Sequence, residues 1–170
     1  ARPPREPGEM SATSGTGDLP GLLAEVAKNA DCEARAPNRR VQITECVSAS
    51  IKANEPLLKS ALENVVRTAV KYTAENTSVD ISLQPDGETA GQLIIQVLDH
   101  GPGVPEDMLT RLFEPFVRIG EARDRSSGGY GLGLAIAKRA IQLHGGEISA
   151  SNEVQGGLNV RIRLPLDQVG

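Results

Sequence analysis

Between residues 55 and 73 apolar pairs recur every four positions: Leu57/Leu58, Ala61/Leu62, Val65/Val66 and Ala69/Val70. That spacing predicts a long amphipathic helix with one buried face. Asn54 precedes it as a cap, and Pro56 falls in its first turn, where a missing N–H costs nothing. Glu63 and Arg67, four apart in the favourable order, predict an ion pair along its flank. Asn64, Thr68 and Tyr72 fall at i, i+4 and i+8 beside the core face, with Lys71 adjacent. Such a stripe reads either as surface decoration or as the wall of a polar site.

Other segments follow different periods. Residues 1–17 are rich in Pro, Gly, Ser and Thr and nearly devoid of aliphatic side chains, the composition of a linker or disordered tail. The domain is therefore expected over 18–170. Asp18 reads as a helix cap, and Leu22, Leu23, Val26 and Ala27 form a helical stripe expected to end near Arg35–Pro37. Residues 41–47 alternate imperfectly, as a half-buried strand does, and Ala49–Ala53 reads as a short partner strand. Val79, Ile81 and Leu83 alternate with polar residues, Pro85-Asp86-Gly87 is a turn, and Leu93–Leu98 is a nearly continuous apolar strand. A short helix is expected after Val104-Pro105, a second long helix over Leu132–Leu143, and a closing hairpin over Glu147–Ser151 and Leu158–Pro165, turning at Gly156-Gly157. Leu112–Gly129 has neither period and is expected to be a mobile segment. The order predicts an α/β (α+β) two-layer sandwich, a mixed, largely antiparallel sheet with helices on one face.

Composition narrows the classes. A length of 170 residues suits one domain. A net charge of −4 argues against a nucleic-acid partner. With no Trp and few other aromatics, the core must be aliphatic. Cys32 and Cys46 lie apart from any His pair, which reads as a reduced, cytoplasmic protein and not as a zinc site. No apolar run approaches the length of a membrane span, and no signal peptide is visible, so no direct membrane contact is expected.

Candidate chemistry gathers between Asp99 and Leu134. The stretch opens D-H-G-P-G-V-P and closes G-G-Y-G-L-G-L. A P-loop string is missing, and neither glycine cluster completes the dinucleotide fingerprint. Asp99, at the end of a buried strand, is a carboxylate in need of a donor, such as the exocyclic amine of adenine. Gly101 and Gly103 allow a sharp turn and close approach to a flat ring. Gly129, Gly131 and Gly133 place bare backbone N–H groups at a helix start, where phosphates bind well. Lys71 and Arg118 can meet the remaining phosphate charge.

Five motifs in order then resemble a known family. E-N-V-V-R-T-A-V-K-Y-T at 63–73 resembles the N box of sensor histidine kinases, and D-H-G-P-G-V-P their first glycine box. R-L-F-E-P-F-V-R at 111–118 resembles the phenylalanine box, G-G-Y-G-L-G-L-A-I-A-K-R the second glycine box, and G-G-L-N-V-R-I-R-L-P the closing strand. Each box alone is weak, but the ordered set is specific and spans roughly residues 40 to 166. Within the family, E-A-R-D-R-S-S-G-G and C-E-A-R-A-P-N suggest an envelope-stress sensor.

The resemblance implies the Bergerat (GHKL) fold, shared with gyrase and MutL ATPases, and ATP with Mg²⁺ as cofactors. It implies that Asp99 holds the adenine amino group, with Gly101 and Gly103 beside it and Tyr72 near the base. It places Asn64 by the phosphates and Mg²⁺, and Lys71 and Arg118 against phosphate charge. Gly129, Gly131, Leu132, Gly133 and Leu134 would line the phosphates at a lid hinge. Phe113 and Phe116 would anchor the lid's base or simply pack in the core. The implied partners are a histidine-bearing dimerisation domain and a cognate response regulator, and the implied setting is the cytoplasmic part of an inner-membrane sensor.

Three departures matter. Thr68 stands where the family has a second Asn, the residue tied to the metal, so the expected metal set is Asn64 with a shorter hydroxyl at Thr68. That substitution predicts nucleotide binding with poor phosphoryl transfer, because transfer rests on positioning and charge neutralisation. His100 replaces a more usual Asn and reads as an exposed loop residue. Neither His100 nor His144 has the phosphoacceptor context, so the substrate His is expected on a separate segment. Two other functions remain open: a nucleotide-sensing module that does not transfer phosphate, and a serine-directed kinase of the anti-sigma type.

Overall fold

The computed structural model describes residues 14–33, 38–114 and 130–165. The elements are β1 (Ser14–Asp18), α1 (Leu19–Glu33), β2 (Arg40–Cys46), β3 (Ser50–Asn54), α2 (Glu55–Tyr72), β4 (Ser78–Pro85), β5 (Gln92–Leu98), α3 (Tyr130–Leu143), β6 (Glu147–Asn152) and β7 (Leu158–Pro165). One 3₁₀ turn, Glu106–Met108, stands where the short helix was expected.

α2 forms as its period predicts. Asn54 Oδ1 accepts the Leu57 N–H at 3.2 Å, satisfying a first-turn donor that has no partner within the helix. Leu58, Ala61, Leu62, Val65, Val66 and Ala69 are buried along one face. Full burial of Leu58 and of Leu62 stabilises the fold by about 1.5–3 kcal/mol each. The Glu63–Arg67 ion pair does not appear among the described residues; both side chains instead line a shallow groove with Val26, Asn29 and Ala30 of α1. An exposed pair of this kind is worth too little to hold two long side chains in one geometry.

The five-stranded sheet runs β2-β4-β5-β7-β6. β2 joins β4 in parallel, and the other pairings are antiparallel. Val79, Ile81, Leu83, Leu93, Ile95, Val97, Val160, Ile162 and Leu164 belong to one aliphatic core with the inner faces of α1, α2 and α3. The opposite face carries Asp80, Ser82, Gln96 and Arg161, and this alternation confirms the two-layer, helices-on-one-face reading. Phe113 is buried in the same core, which decides for packing at that position.

Two expectations are corrected. Ser14–Gly17, assigned to the tail, form most of β1, while residues 1–13 lie outside the described residues. Ala49–Ala53, read as a partner for the preceding strand, shifts to Ser50–Asn54 and pairs with β1 in a separate two-stranded sheet. Main-chain pairing explains both: the N–H and C=O row of β3 needs a partner, and β1 supplies one without contributing apolar side chains.

His144 ties the end of α3 to the start of α2. Its Nδ1 meets the Ala140 carbonyl at 2.7 Å and its Nε2 accepts the Asn54 N–H at 3.1 Å, which fixes the Nδ1–H tautomer. A different bond of Asn54 is tested by mutation. Asn54→Ala removes the side-chain cap and leaves the backbone bond to His144; it should lower the unfolding free energy by about 1 kcal/mol in urea titration, with Asn54→Gly costing only a few tenths.

Candidate functional site

The site is built where β5 ends. Asp99 is almost completely buried at the first position after that strand. Its Oδ1 accepts N–H bonds from Gly101 at 2.9 Å and from Leu158 at 3.1 Å, while its own N–H bonds the Leu158 carbonyl at 3.0 Å. One carboxylate oxygen is thus fixed by backbone, and the side chain has a single orientation. Burial pushes the Asp99 carboxyl above its ordinary range, against the opposing pull of the two N–H bonds and of His100. Desolvation is the largest of these influences and sets the direction.

The loop after Asp99 is pressed against the end of α2. A Cβ at Gly101 would overlap the Tyr72 carbonyl oxygen, so only glycine permits this approach. Thr73, fully buried past the end of α2, accepts the His100 N–H on Oγ1 at 3.0 Å. Its hydroxyl pairs with Thr77 Oγ1 at 2.7 Å, and Thr77 in turn donates to the Ala74 carbonyl, so the proton between the two hydroxyls belongs to Thr73. His100 is exposed, as expected, and is also anchored: Nδ1 lies 2.6 Å from the Ser78 carbonyl, and Nε2 3.7 Å from Asp80 Oδ2.

The expected residues are placed as follows. Asn64 and Tyr72 are half-buried on α2, and Lys71 is exposed in its last turn. Thr68 is buried, and its Oγ1 donates to the Asn64 carbonyl one turn back at 2.8 Å. The hydroxyl that was to face a metal is turned into its own helix. Gly131, Leu132 and Gly133 lie in the first turns of α3, which begins at Tyr130. Leu134 is buried in the core, and as the fifth residue of α3 its N–H belongs to the helix's own ladder, so it can only shape the site from behind. Phe116, Arg118 and Gly129 lie outside the described residues, as does the remainder of the expected lid, 115–129. Asp99, Gly101 and Tyr72 are therefore brought together, while Thr68 and Asn64 stand about one and two turns further back along α2.

Some contributors had no sequence signal. Thr73 bonds the loop at His100, 27 positions away, and Asn152, at the end of β6, bonds Val104 across 48 positions. No local pattern reports contacts of that kind. Among the described residues no group of three or more His, Cys, Asp or Glu could hold a metal ion. A cation at this site would take its protein oxygen from Asn64 and the rest from phosphate and water, a donor set that suits Mg²⁺.

A strand-end carboxylate locked beside a glycine loop, facing a polar helix flank, defines the ATPase class in which this chain falls. A family model described as histidine kinase-, DNA gyrase B-, and HSP90-like ATPase matches residues 53–168, and the chain belongs to that family. It is 41% identical over 146 residues to the sensor histidine kinase CpxA of Escherichia coli (strain K12), covering 85% of this chain and 31% of that protein. The chain thus spans under a third of the length of that relative. The mycobacterial sensor histidine kinase MprB shares the fold, with a TM-score of 0.79 at 24% identity over 89% of this chain and 98% of that one. Full-length ShkA, solved in complex with AMPPNP, superimposes with a TM-score of 0.76 at 29% identity, over 91% of this chain and 31% of that one.

The raised carboxyl of Asp99 gives a stability test. A folded-state pKa above the unfolded value means that ionisation destabilises the fold. The cost is absent below pH 3.8, grows as pH rises through the raised pKa, and is constant above it. Asp99→Asn should therefore raise Tm at neutral pH, by about 2–4 °C per kcal/mol of relieved desolvation. The gain should vanish in thermal melts below pH 3.8.

Proposed function

We propose that the chain from β1 (Ser14–Asp18) onward is the catalytic domain of a CpxA-like sensor histidine kinase. The domain binds ATP with Mg²⁺ and delivers the γ-phosphoryl group to a histidine on a separate dimerisation domain, from which a response regulator receives it. This assigns the chain to the cytoplasmic part of an inner-membrane sensor.

The observation that carries the reading is Asp99. A buried carboxylate with one oxygen held by Gly101 and Leu158 leaves Oδ2 to meet the exocyclic amine of adenine. Guanine, with a carbonyl at the same ring position, would set oxygen against oxygen, so the site selects adenine. Gly101 lets the base lie close to backbone, with Tyr72 at its edge. Asn64 offers its side-chain oxygen at the phosphate end, and the Lys71 ammonium steadies phosphate charge. Gly103 belongs to the base loop. Arg118 steadies phosphate charge with Lys71, Phe116 and Gly129 belong to the lid's base and hinge, and Gly131 and Leu132 present backbone N–H groups in the first turn of α3, with Gly133 and Leu134 directly behind them. When bound, Mg²⁺ neutralises charge between the β- and γ-phosphates. The acceptor imidazole is itself the nucleophile, so no side chain of this domain has to act as a strong base.

Thr68 favours a second reading. With its hydroxyl donating into α2, the metal end of the site has one amide where the family has two. The domain then senses adenine nucleotide and transfers phosphate slowly.

Calorimetric titration of ATP with and without Mg²⁺ tests both readings. Micromolar ATP binding is expected, with Asp99→Asn reducing affinity at least tenfold, and GTP binding far more weakly. Thr68→Asn should increase the Mg²⁺ enhancement of binding several-fold. It should also speed phosphate transfer from labelled ATP to an added histidine-bearing dimerisation segment. Equal affinity for ATP and GTP would sink the adenine assignment, and an unchanged Mg²⁺ enhancement in Thr68→Asn would sink the reading of Thr68.

A further inference from the structure

The loop 99–104 is held from outside at both ends by one element, the β6–β7 hairpin. At its start, Leu158 exchanges two N–H bonds with Asp99, one to the backbone carbonyl and one to the carboxylate. At its end the partner is a side chain. Asn152 Oδ1 accepts the Val104 N–H at 2.9 Å, and Asn152 Nδ2 donates to the Val104 carbonyl at 2.7 Å. A carboxamide presents a donor and an acceptor side by side, so Asn152 pairs with the Val104 peptide groups as a neighbouring strand would. Between these anchors, Gly103 has φ +77° and passes so close that a Cβ would lie 2.6 Å from Asn152 Oδ1.

We propose that Asn152 is a positioning residue for the base end of the nucleotide site: its clamp on Val104 sets the path of the Gly101–Gly103 loop and hence the direction of Asp99. The role rests on the adenine-binding reading above. The chain of action is short. Val104 fixes the exit of a loop that contains two glycines and would otherwise have many conformations, and the entry is fixed at Leu158. With both ends held, Gly101 keeps its N–H on Asp99 Oδ1. Without the clamp the loop can swing from the Tyr72 carbonyl, and the carboxylate loses its fixed orientation. The cost of ordering the loop then falls on ligand binding.

Three variants separate positioning from packing. Asn152→Ala removes both bonds. Asn152→Leu keeps comparable volume with no polar atom, and Asn152→Asp keeps the acceptor for the Val104 N–H and loses the donor. Calorimetry of ATP binding should show a loss of about five- to tenfold for Ala and Leu alike, the size expected for one or two net hydrogen bonds in a preorganised loop. Asp keeps one bond but sets a carboxylate oxygen against the Val104 carbonyl, and should lose at least as much as Ala. Hydrogen exchange at the Gly101 amide should accelerate in the same order, and Tm should stay close to that of the parent because the residue is exposed at a hairpin end. Restoration of affinity by Asn152→Leu would show that bulk alone matters and overturn the proposal. So would unchanged affinity in all three variants while the parent chain binds ATP. A parent chain that does not bind ATP would instead remove the nucleotide reading, and the positioning role with it.

Discussion

One ionic group, taken out of water and tied to backbone, organises this domain. Asp99 sits where β5 leaves the sheet, and the N–H groups it accepts come from its own loop and from β7. Burying a carboxylate is unfavourable, and its raised pKa records that the two bonds do not fully compensate. The neighbouring features follow from it: the glycine at 101, because the loop must touch the Tyr72 carbonyl, and the buried Thr73, because the loop amide at His100 needs an acceptor.

α2 connects this base end to the other end of the site. Tyr72 closes the helix beside Gly101, and Asn64 lies eight residues back, about 12 Å along a helix rising 1.5 Å per residue. That span suits a ligand with a flat ring at one end and a charged chain at the other. α2 is also the helix most deeply packed into the core, so both ends are fixed to one rigid rod. Its cap at Asn54 is bonded to His144 at the end of α3, which ties the two long helices together far from the site.

How much of this could be read from the chain depends on how far each interaction reaches. α2 was legible because a period of four apolar pairs, a cap and a first-turn Pro all act within one segment. β5 and the Asp99 loop were legible because an apolar run ended abruptly in D-H-G-P-G. β1 was hidden because its pairing with β3 is made by backbone, so Ser14–Gly17 carry the composition of a tail. The Glu63–Arg67 pair was overread, since spacing on a helix reports proximity and not whether two solvated side chains gain by meeting. Asn152 was invisible, its partner 48 residues away and its own neighbours unremarkable. Motif resemblance supplied what periodicity could not: the expectation that the stripe at Asn64, Thr68 and Tyr72 belongs to a nucleotide site.

Thr68 shows how the two sources of information divide. Resemblance identifies the position as one where the family carries Asn, and the structure shows what the shorter residue does there: it donates to the Asn64 carbonyl and is buried. An Asn at 68 has a longer side chain and an amide oxygen that can extend past the helix surface, whereas a threonine hydroxyl satisfied by the preceding turn has no reason to leave it. The substitution therefore affects the metal end without disturbing the helix that bears it. The base end, a helical turn along at Tyr72 and held by backbone bonds from β7 to Asp99, makes no hydrogen bond to Thr68. On the proposed reading, binding of the base and handling of the phosphates are separable, because they rest on the C-terminal end and the middle of one helix and share its rigidity.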